Sequence, residues 1–372
     1  MWPGGRRRPG APSSTDGRAA RDPHGPLTTV APVNPSRRNL TRRAVLRSLT
    51  AAALGSLGSP RAGAGAAPFP SLAVAHANEV LAPAVDGAWW RVAGNPDLGP
   101  LAHPRQQPVD FGIWQAADGT WQLWSCIRFT RAPGKTRLFH RWQGDRLTDG
   151  DWRPMGIAMQ ADPRVGETEG GLQAPFVLEA GGTYHMFYGD WEHVCLALSV
   201  DGKAFTRRLD DNGKSGLFSN GAGANTRDPM VLRIGDTYHC YTTAHPGLKG
   251  AVYCRTSRDL RRWSEARVVA AGGAAGAGPA AAECPFVYRH KEAERYYLFR
   301  TQQYGRNART SVYCSPDPLD FGVNDDRYLV GTLPLAAPEV IEHDDALYLA
   351  ALTPGLDGIR LSRLRWTRRS SA

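Results

Sequence analysis

One local pattern returns five times along this chain, and a segment of that kind cannot bury its apolar face alone. The copies begin at Asp110-Phe111-Gly112-Ile113, Ala174-Pro175-Phe176-Val177, Asp228-Pro229-Met230-Val231, Cys284-Pro285-Phe286-Val287 and Ala337-Pro338-Glu339-Val340, at steps of 64, 54, 56 and 53 residues. In each, a short apolar run leads to Gly or Asp, then to a second run: Trp121-Gln122-Leu123-Trp124, Tyr184-His185-Met186-Phe187, Tyr238-His239-Cys240-Tyr241, Tyr296-Tyr297-Leu298-Phe299 and Leu347-Tyr348-Leu349-Ala350. A third landmark keeps the register. Ser199-Val200-Asp201, Ser257-Arg258-Asp259 and Ser315-Pro316-Asp317 are 58 residues apart at both steps, followed by Phe205, Trp263 and Phe321. Periods of this size belong to stacked blades or solenoids. Runs of β-branched and aromatic residues broken by Gly, Asp and Pro are strand and turn signals, and no long helical period competes past residue 90. The expected fold is all-β: one five-bladed β-propeller over residues 91–372, with a β-sandwich as the weaker alternative.

The segment before the repeats is of another kind. Arg37-Arg38 and Arg42-Arg43-Ala44-Val45-Leu46 precede an Ala- and Leu-rich stretch ending near Ala64-Gly65-Ala66. This reads as a twin-arginine export signal over residues 36–66, after a Pro-, Gly- and Arg-rich extension (1–35) expected to be disordered and before a lead-in segment (67–90). A membrane anchor fits less well, because the apolar stretch is short for the ~20 residues a span needs. The first 66 residues hold eleven Arg, two Asp and no Lys or Glu, so of the chain's net charge of +10 only +1 stays with the exported part. The high pI therefore gives no support for a nucleic-acid or membrane partner. An exported monomer, periplasmic or extracellular, is the expectation.

The six cysteines (126, 195, 240, 254, 284 and 314) sit mostly inside strand-like runs without a Cys-x-x-Cys pair. Buried thiols are expected, since a protein folded before export cannot depend on disulfides. His185 and His239 occupy equivalent repeat positions and read as structural, not as metal ligands. The Gly- and Ala-rich run from Gly272 to Ala282 lacks the Lys of a phosphate loop and reads as a connection between blades.

In a propeller the innermost strand of every blade starts near the axis, so equivalent positions converge on one cavity. Asp110 and Asp228 share that position in repeats one and three, Glu283 lies one residue before it in repeat four, and Ala174 and Ala337 fill it in the others. Three carboxylates in a small apolar ring make poor packing, because a buried charge costs several kcal/mol unless compensated. They suit chemistry that needs one ionised and one protonated carboxyl on either side of a bond, as glycoside hydrolysis does.

Arg227-Asp228-Pro229 and Glu283-Cys284-Pro285 are similar to the Arg-Asp-Pro and Glu-Cys motifs of invertase-like enzymes. Their order, with 118 residues from Asp110 to Asp228 and 55 on to Glu283, resembles the five-bladed glycosidases of families 32, 43, 62 and 68. The resemblance implies Asp110 as base or nucleophile, Asp228 as transition-state stabiliser or pKa modulator, and Glu283 as general acid. Asp110 departs from it in preceding Phe111-Gly112 where those families show Asp-Pro. The chain ends soon after the fifth repeat, without the C-terminal β-sandwich of the invertase-like members, which favours the arabinanase and xylosidase side, family 43.

Trp114, Asp190, Trp191, Arg227, Arg300 and Gln302 are the candidate sugar-binding residues, aromatic faces and polar groups being the mix a carbohydrate pocket uses. No cofactor is expected. The resemblance allows a cation in the central channel, for which the sequence offers no oxygen-rich loop of calcium-binding spacing. The expected function is an exported hydrolase of furanosides or xylosides acting on oligo- or polysaccharides. A non-catalytic carbohydrate-binding propeller is the alternative, and a glycoside phosphorylase a more distant one.

Overall fold

The computed structural model describes residues 79–370, and they form a five-bladed β-propeller. The expected extension and export signal lie outside the described residues. Strand β1 (Glu79–Gly94) comes first. Blade one follows as β2 (Gln107–Gln115), β3 (Trp121–Arg128), β4 (Leu138–Gly144) and β5 (Arg153–Met159). Blade two is β6 (Gln173–Ala180), β7 (Thr183–Gly189) and β8 (Val194–Ser199), with two short strands, β9 (Thr206–Arg207) and β10 (Gly216–Phe218), sharing the outer edge of β8. Blade three is β11 (Arg227–Ile234), β12 (Thr237–Ala244), β13 (Ala251–Ser257) and β14 (Arg267–Ala271), and blade four is β15 (Glu283–His290), β16 (Arg295–Gln303), β17 (Arg309–Ser315) and β18 (Leu329–Leu333). Blade five takes β19 (Glu339–His343), β20 (Ala346–Leu352) and β21 (Gly358–Ser370) from the end of the chain and β1 from its beginning.

Residues 79–90, expected as part of a lead-in, thus belong to the propeller itself. β1 pairs antiparallel with β21 from Glu79↔Ser370 to Gly94↔Gly358. The long-range pairing closes the ring and covers an edge that would otherwise be an unpaired strand. It was not legible from the repeats, because the fourth strand of the last blade stands before the first repeat.

The Ser-x-Asp landmarks are turns after the third strands. The Ser199 hydroxyl donates to Asp201 Oδ1 at 2.7 Å and accepts from Gly202 N at 2.9 Å; Ser257 and Asp259 repeat the pattern. The aromatic residue behind each turn plugs into the preceding blade. Phe205 meets Trp114 and Trp124, Trp263 meets Phe187 and Phe218, and Phe321 meets Tyr241. Edge-to-face aromatic packing of this sort contributes beyond area burial, and it keeps neighbouring blades in step. All six cysteines are free thiols, four of them fully buried.

The inner strands of the first four blades are interrupted at the repeat's first landmark, and that of the fifth starts just after it. Asp110, Ala174, Asp228, Cys284 and Ala337 all adopt positive φ, between 41° and 54°. The ladder shifts register there in the first four blades, between Val109 and Phe111, Gln173 and Phe176, Arg227 and Met230, and Glu283 and Phe286. Four of these residues precede a proline, which has no N–H for the ladder and is tolerated inside a sheet only at such a bulge. Left-handed backbone costs a non-glycine residue ~1–2 kcal/mol. Five copies at one level of the axis make a ring whose side chains are re-aimed out of the pleat. Gly112, two residues past Asp110, allows the inner strands of blades one and two to approach: a Cβ there would stand 2.4 Å from the Pro175 carbonyl oxygen.

Candidate active site

The five positive-φ residues line the mouth of a narrow axial channel with Phe176, Met230, Phe286 and Glu339 further along it. Its cavity of about 30 Å³ holds roughly two waters. Anything larger than a few waters has room only on the open face, above the ring acids. Loops from every blade converge on that face: those leading into the inner strands and those joining second to third strands.

Cys284 ties two of the acids together. Its backbone N–H donates to Asp228 Oδ2 at 3.0 Å, and its thiol donates to Asp110 Oδ1 at 3.3 Å. Asp110 Oδ2 faces the Arg137 guanidinium at 3.7 Å. Arg227 Nε stands 3.7 Å from Asp228 Oδ2, and Asp228 Oδ1 is buried with no hydrogen-bond partner. Burial raises both aspartates above the usual carboxylate range; Arg137 opposes this at Asp110 and Arg227 opposes it at Asp228, while the Glu283 charge raises both and the Asp110 charge raises Asp228 further.

Glu283 points away from the channel, as its place one residue before the bulge requires. Oε1 accepts a close charge-assisted bond from Arg227 Nη2, and Oε2 accepts from the Tyr304 hydroxyl at 3.1 Å. Tyr304 Oη also lies 3.3 Å from Cys284 Sγ. Contacts therefore run from Asp110 through Cys284 and Tyr304 to Glu283. Arg227 is anchored independently by Asn225 O (2.9 Å), Pro279 O (3.2 Å) and His245 Nδ1 (3.1 Å). Because a guanidinium only donates, His245 Nδ1 is an acceptor and its proton sits on Nε2. Burial, with the Arg227 charge, lowers the His245 pKa, consistent with a neutral ring.

Of the residues expected to meet sugar, Arg227 stands among the acids and Trp191 close by. The indole lies under the Lys135 ammonium (4.7 Å) and the Arg137 guanidinium (5.1 Å), so Arg137 is shared between Trp191 and Asp110. Asp190 does not face the ring: fully buried, it accepts from the backbone N–H of Glu192 and His193 and shapes the turn that presents Trp191 at φ 86°. Trp114 lies near the far end of β2, in the core, with Nε1 donating to Gly202 O at 2.7 Å. Arg300 is fully buried and donates to Ala281 O, Gly272 O and Gly276 O, bracing the connection into blade four. Gln302 lines a separate cleft beside that connection. None of these four side chains faces the ring acids, and Trp114, Asp190 and Arg300 bond the scaffold instead, because a propeller packs its large polar and aromatic groups between blades as readily as at its mouth.

No family model and no curated protein matches the sequence. Among solved structures, a thermostable family-43 glycoside hydrolase aligns over 73% of this chain and 92% of its own at 18% identity, with a TM-score of 0.53. An endo-arabinase from Bacteroides thetaiotaomicron aligns over 73% and 98% at 12% identity and a TM-score of 0.53. A family-32 β-fructofuranosidase from Bombyx mori aligns over 76% of this chain and 65% of its own at 17% identity and 0.54. The chain shares their five-bladed β-propeller fold.

Within this propeller, several site residues had no signal in the acidic motifs. Tyr304 and His245 each directly follow the second strand of their blade, as Asp190 and Phe129 do. Comparing that position across the repeats would have found them. Arg137 and Lys135 belong to the loop 129–137, longer than the corresponding loop of any other blade, so its far end has no equivalent in the repeats. In the sequence Glu339 stands out only as part of the fifth repeat. It lines the channel two residues past Ala337, accepts from Ile113 N at 3.3 Å, and is pushed well above the usual carboxylate range by burial. The channel does not fit a resident calcium, which takes six to eight oxygens: its lining past the ring is largely apolar, and no group of three acids, cysteines or histidines among the described residues is arranged for a metal.

Proposed function

We propose that this protein is an exported glycoside hydrolase that cleaves O-glycosidic bonds of furanosides or xylosides, with Asp110 as base or nucleophile, Asp228 as stabiliser of the transition state and Glu283 as general acid. The observation that carries the reading is the linkage of three carboxylates at one propeller mouth, two on left-handed bulges and the third beside one, by Cys284 and Tyr304. Such a set can place one carboxyl on each side of an anomeric carbon while the third meets the sugar hydroxyls. Arg137 favours the anion of Asp110, which a base or nucleophile requires. Glu283 must exchange Arg227 for a proton to act as acid. Arg227 keeps Asn225 O, Pro279 O and His245 as partners when it lets go.

That same Arg227–Glu283 pair is what favours the second reading, a carbohydrate-binding propeller without turnover. Turnover by the full chain on aryl arabinofuranosides, xylosides, galactosides and fructosides, beside a Glu283→Gln control, separates the two. The hydrolase reading expects turnover that the control loses and that activated aryl leaving groups partly restore, since they need less protonation. Saturable sugar binding with no turnover on any substrate would establish the binding propeller. Export rests on the twin-arginine signal in the sequence and is tested by blocking that route with Arg42→Lys and Arg43→Lys.

A further inference from the structure

The blade-one side of the mouth carries more positive charge than the ring acids use. Arg137 is mostly buried, its side chain 16% exposed, yet Nη1 alone has partners: Asp110 Oδ2 at 3.7 Å and the Cys126 sulfur at 3.8 Å. Nε and Nη2 meet no hydrogen-bond acceptor among the described residues and are not among the buried unpartnered atoms, so they are open toward solvent at the mouth. Lys135 Nζ has the Trp191 ring and no carboxylate; Glu169, which bonds Lys135 through its backbone, makes no ion pair with it. Arg128, at the same end of the blade, spends its guanidinium on the neutral Gln107 side chain at 2.8 and 3.0 Å. Arg137, Lys135 and Arg128 thus gather on one side of the mouth, Arg137 and Lys135 on an indole face suited to a sugar ring.

We propose that this corner is a subsite for an anionic sugar, its carboxylate or sulfate oxygens taken by the open donors of Arg137 and by Lys135 while Trp191 carries the ring. It rests on reading the mouth as a carbohydrate site and names the substrate class: acidic saccharides over neutral ones. A guanidinium with one free edge, its Nε and Nη2 N–H groups side by side, matches a carboxylate or sulfate bidentately, which a hydroxyl cannot do as well. Nothing covalent is asked of the subsite; it orients the sugar next to Asp110.

The test is calorimetry on the full chain with methyl β-glucuronide, galactose 6-sulfate and methyl β-xyloside, at low and high salt, alongside turnover of aryl glucuronide and aryl xyloside. At least one anionic sugar should bind more tightly than the xyloside and lose its advantage in salt. Lys135→Met keeps the apolar stem over Trp191. It should weaken the anionic sugar about three- to fivefold, the scale of an exposed charge pair, and leave the xyloside unchanged. Whichever of glucuronide and sulfate binds better names the group. Equal binding of all three sugars, or equal loss of all three in Lys135→Met, overturns the subsite. Turnover of neutral glycosides without anionic preference would sink the subsite alone, whereas anionic binding without any turnover would uphold it and sink the hydrolase.

Discussion

The Cys284 thiol donates to Asp110 Oδ1 at 3.3 Å across the propeller axis, joining blade four to blade one. A hydrogen bond donated to a carboxylate favours its charged form. Burial keeps the thiol itself well above its ordinary pKa, so it is a neutral donor and no nucleophile. In Cys284→Ala the acidic limb of the pH–rate profile should move to higher pH, with a loss of stability of about 1 kcal/mol. A profile unmoved while turnover falls would deny the thiol this role.

Asp228 is buried with one oxygen unpaired, and burial holds its carboxyl above its ordinary value of 3.8. A raised carboxyl binds its proton more tightly in the folded than in the unfolded chain. Its contribution is therefore present at low pH and is lost as pH rises from about 4 through the raised folded value. Asp228→Asn should melt higher than the parent at neutral pH, by about 1–2 kcal/mol, and no higher in acid, while losing turnover. Thermal melts at both pH values check the sign.

Arg227 and Glu283 form a largely buried ion pair, their side chains 6% and 18% exposed. Removing one partner leaves an uncompensated charge, so Arg227→Met should cost about 3–5 kcal/mol and Glu283→Gln less, because the Gln oxygen still accepts from Arg227 while its amide N–H can donate to the Tyr304 hydroxyl. A double-mutant cycle should return a coupling of about 1.5–3 kcal/mol. Additive losses would mean that the pair is not formed in solution.

Trp114 and Trp191 should separate by their place in the fold. Trp114→Ala empties a core position packed by Trp124 and Phe205 and should cost about 3–5 kcal/mol in chemical denaturation, with KM unchanged at temperatures where it stays folded. Trp191→Ala should leave stability within about 1 kcal/mol and raise KM several-fold.

Strand β1 closes the ring against β21. A chain starting at residue 95 should expose that edge and associate or fail to fold, seen by size-exclusion chromatography and loss of the near-ultraviolet aromatic signal. A monomeric, native-like truncated chain would deny that closure its structural weight.

The five-fold architecture was legible because each repeat writes its own turn, bulge and strand locally: Ser199, Ser257 and Ser315 bond within three residues of themselves, and Pro175, Pro229, Pro285 and Pro338 mark where a ladder must break. The acids Asp110 and Asp228 were legible for the same reason, since equivalent bulges face one axis. Local pattern carries no record of which partner completes a side chain. Tertiary structure alone decided that Glu283 meets Arg227 and Tyr304, that Arg137 stands open beside Asp110, that Trp114 and Arg300 turn to the scaffold, and that the first strand closes the last blade. Those outcomes depend on contacts between residues far apart in sequence, each set by the packing of whole blades around the axis.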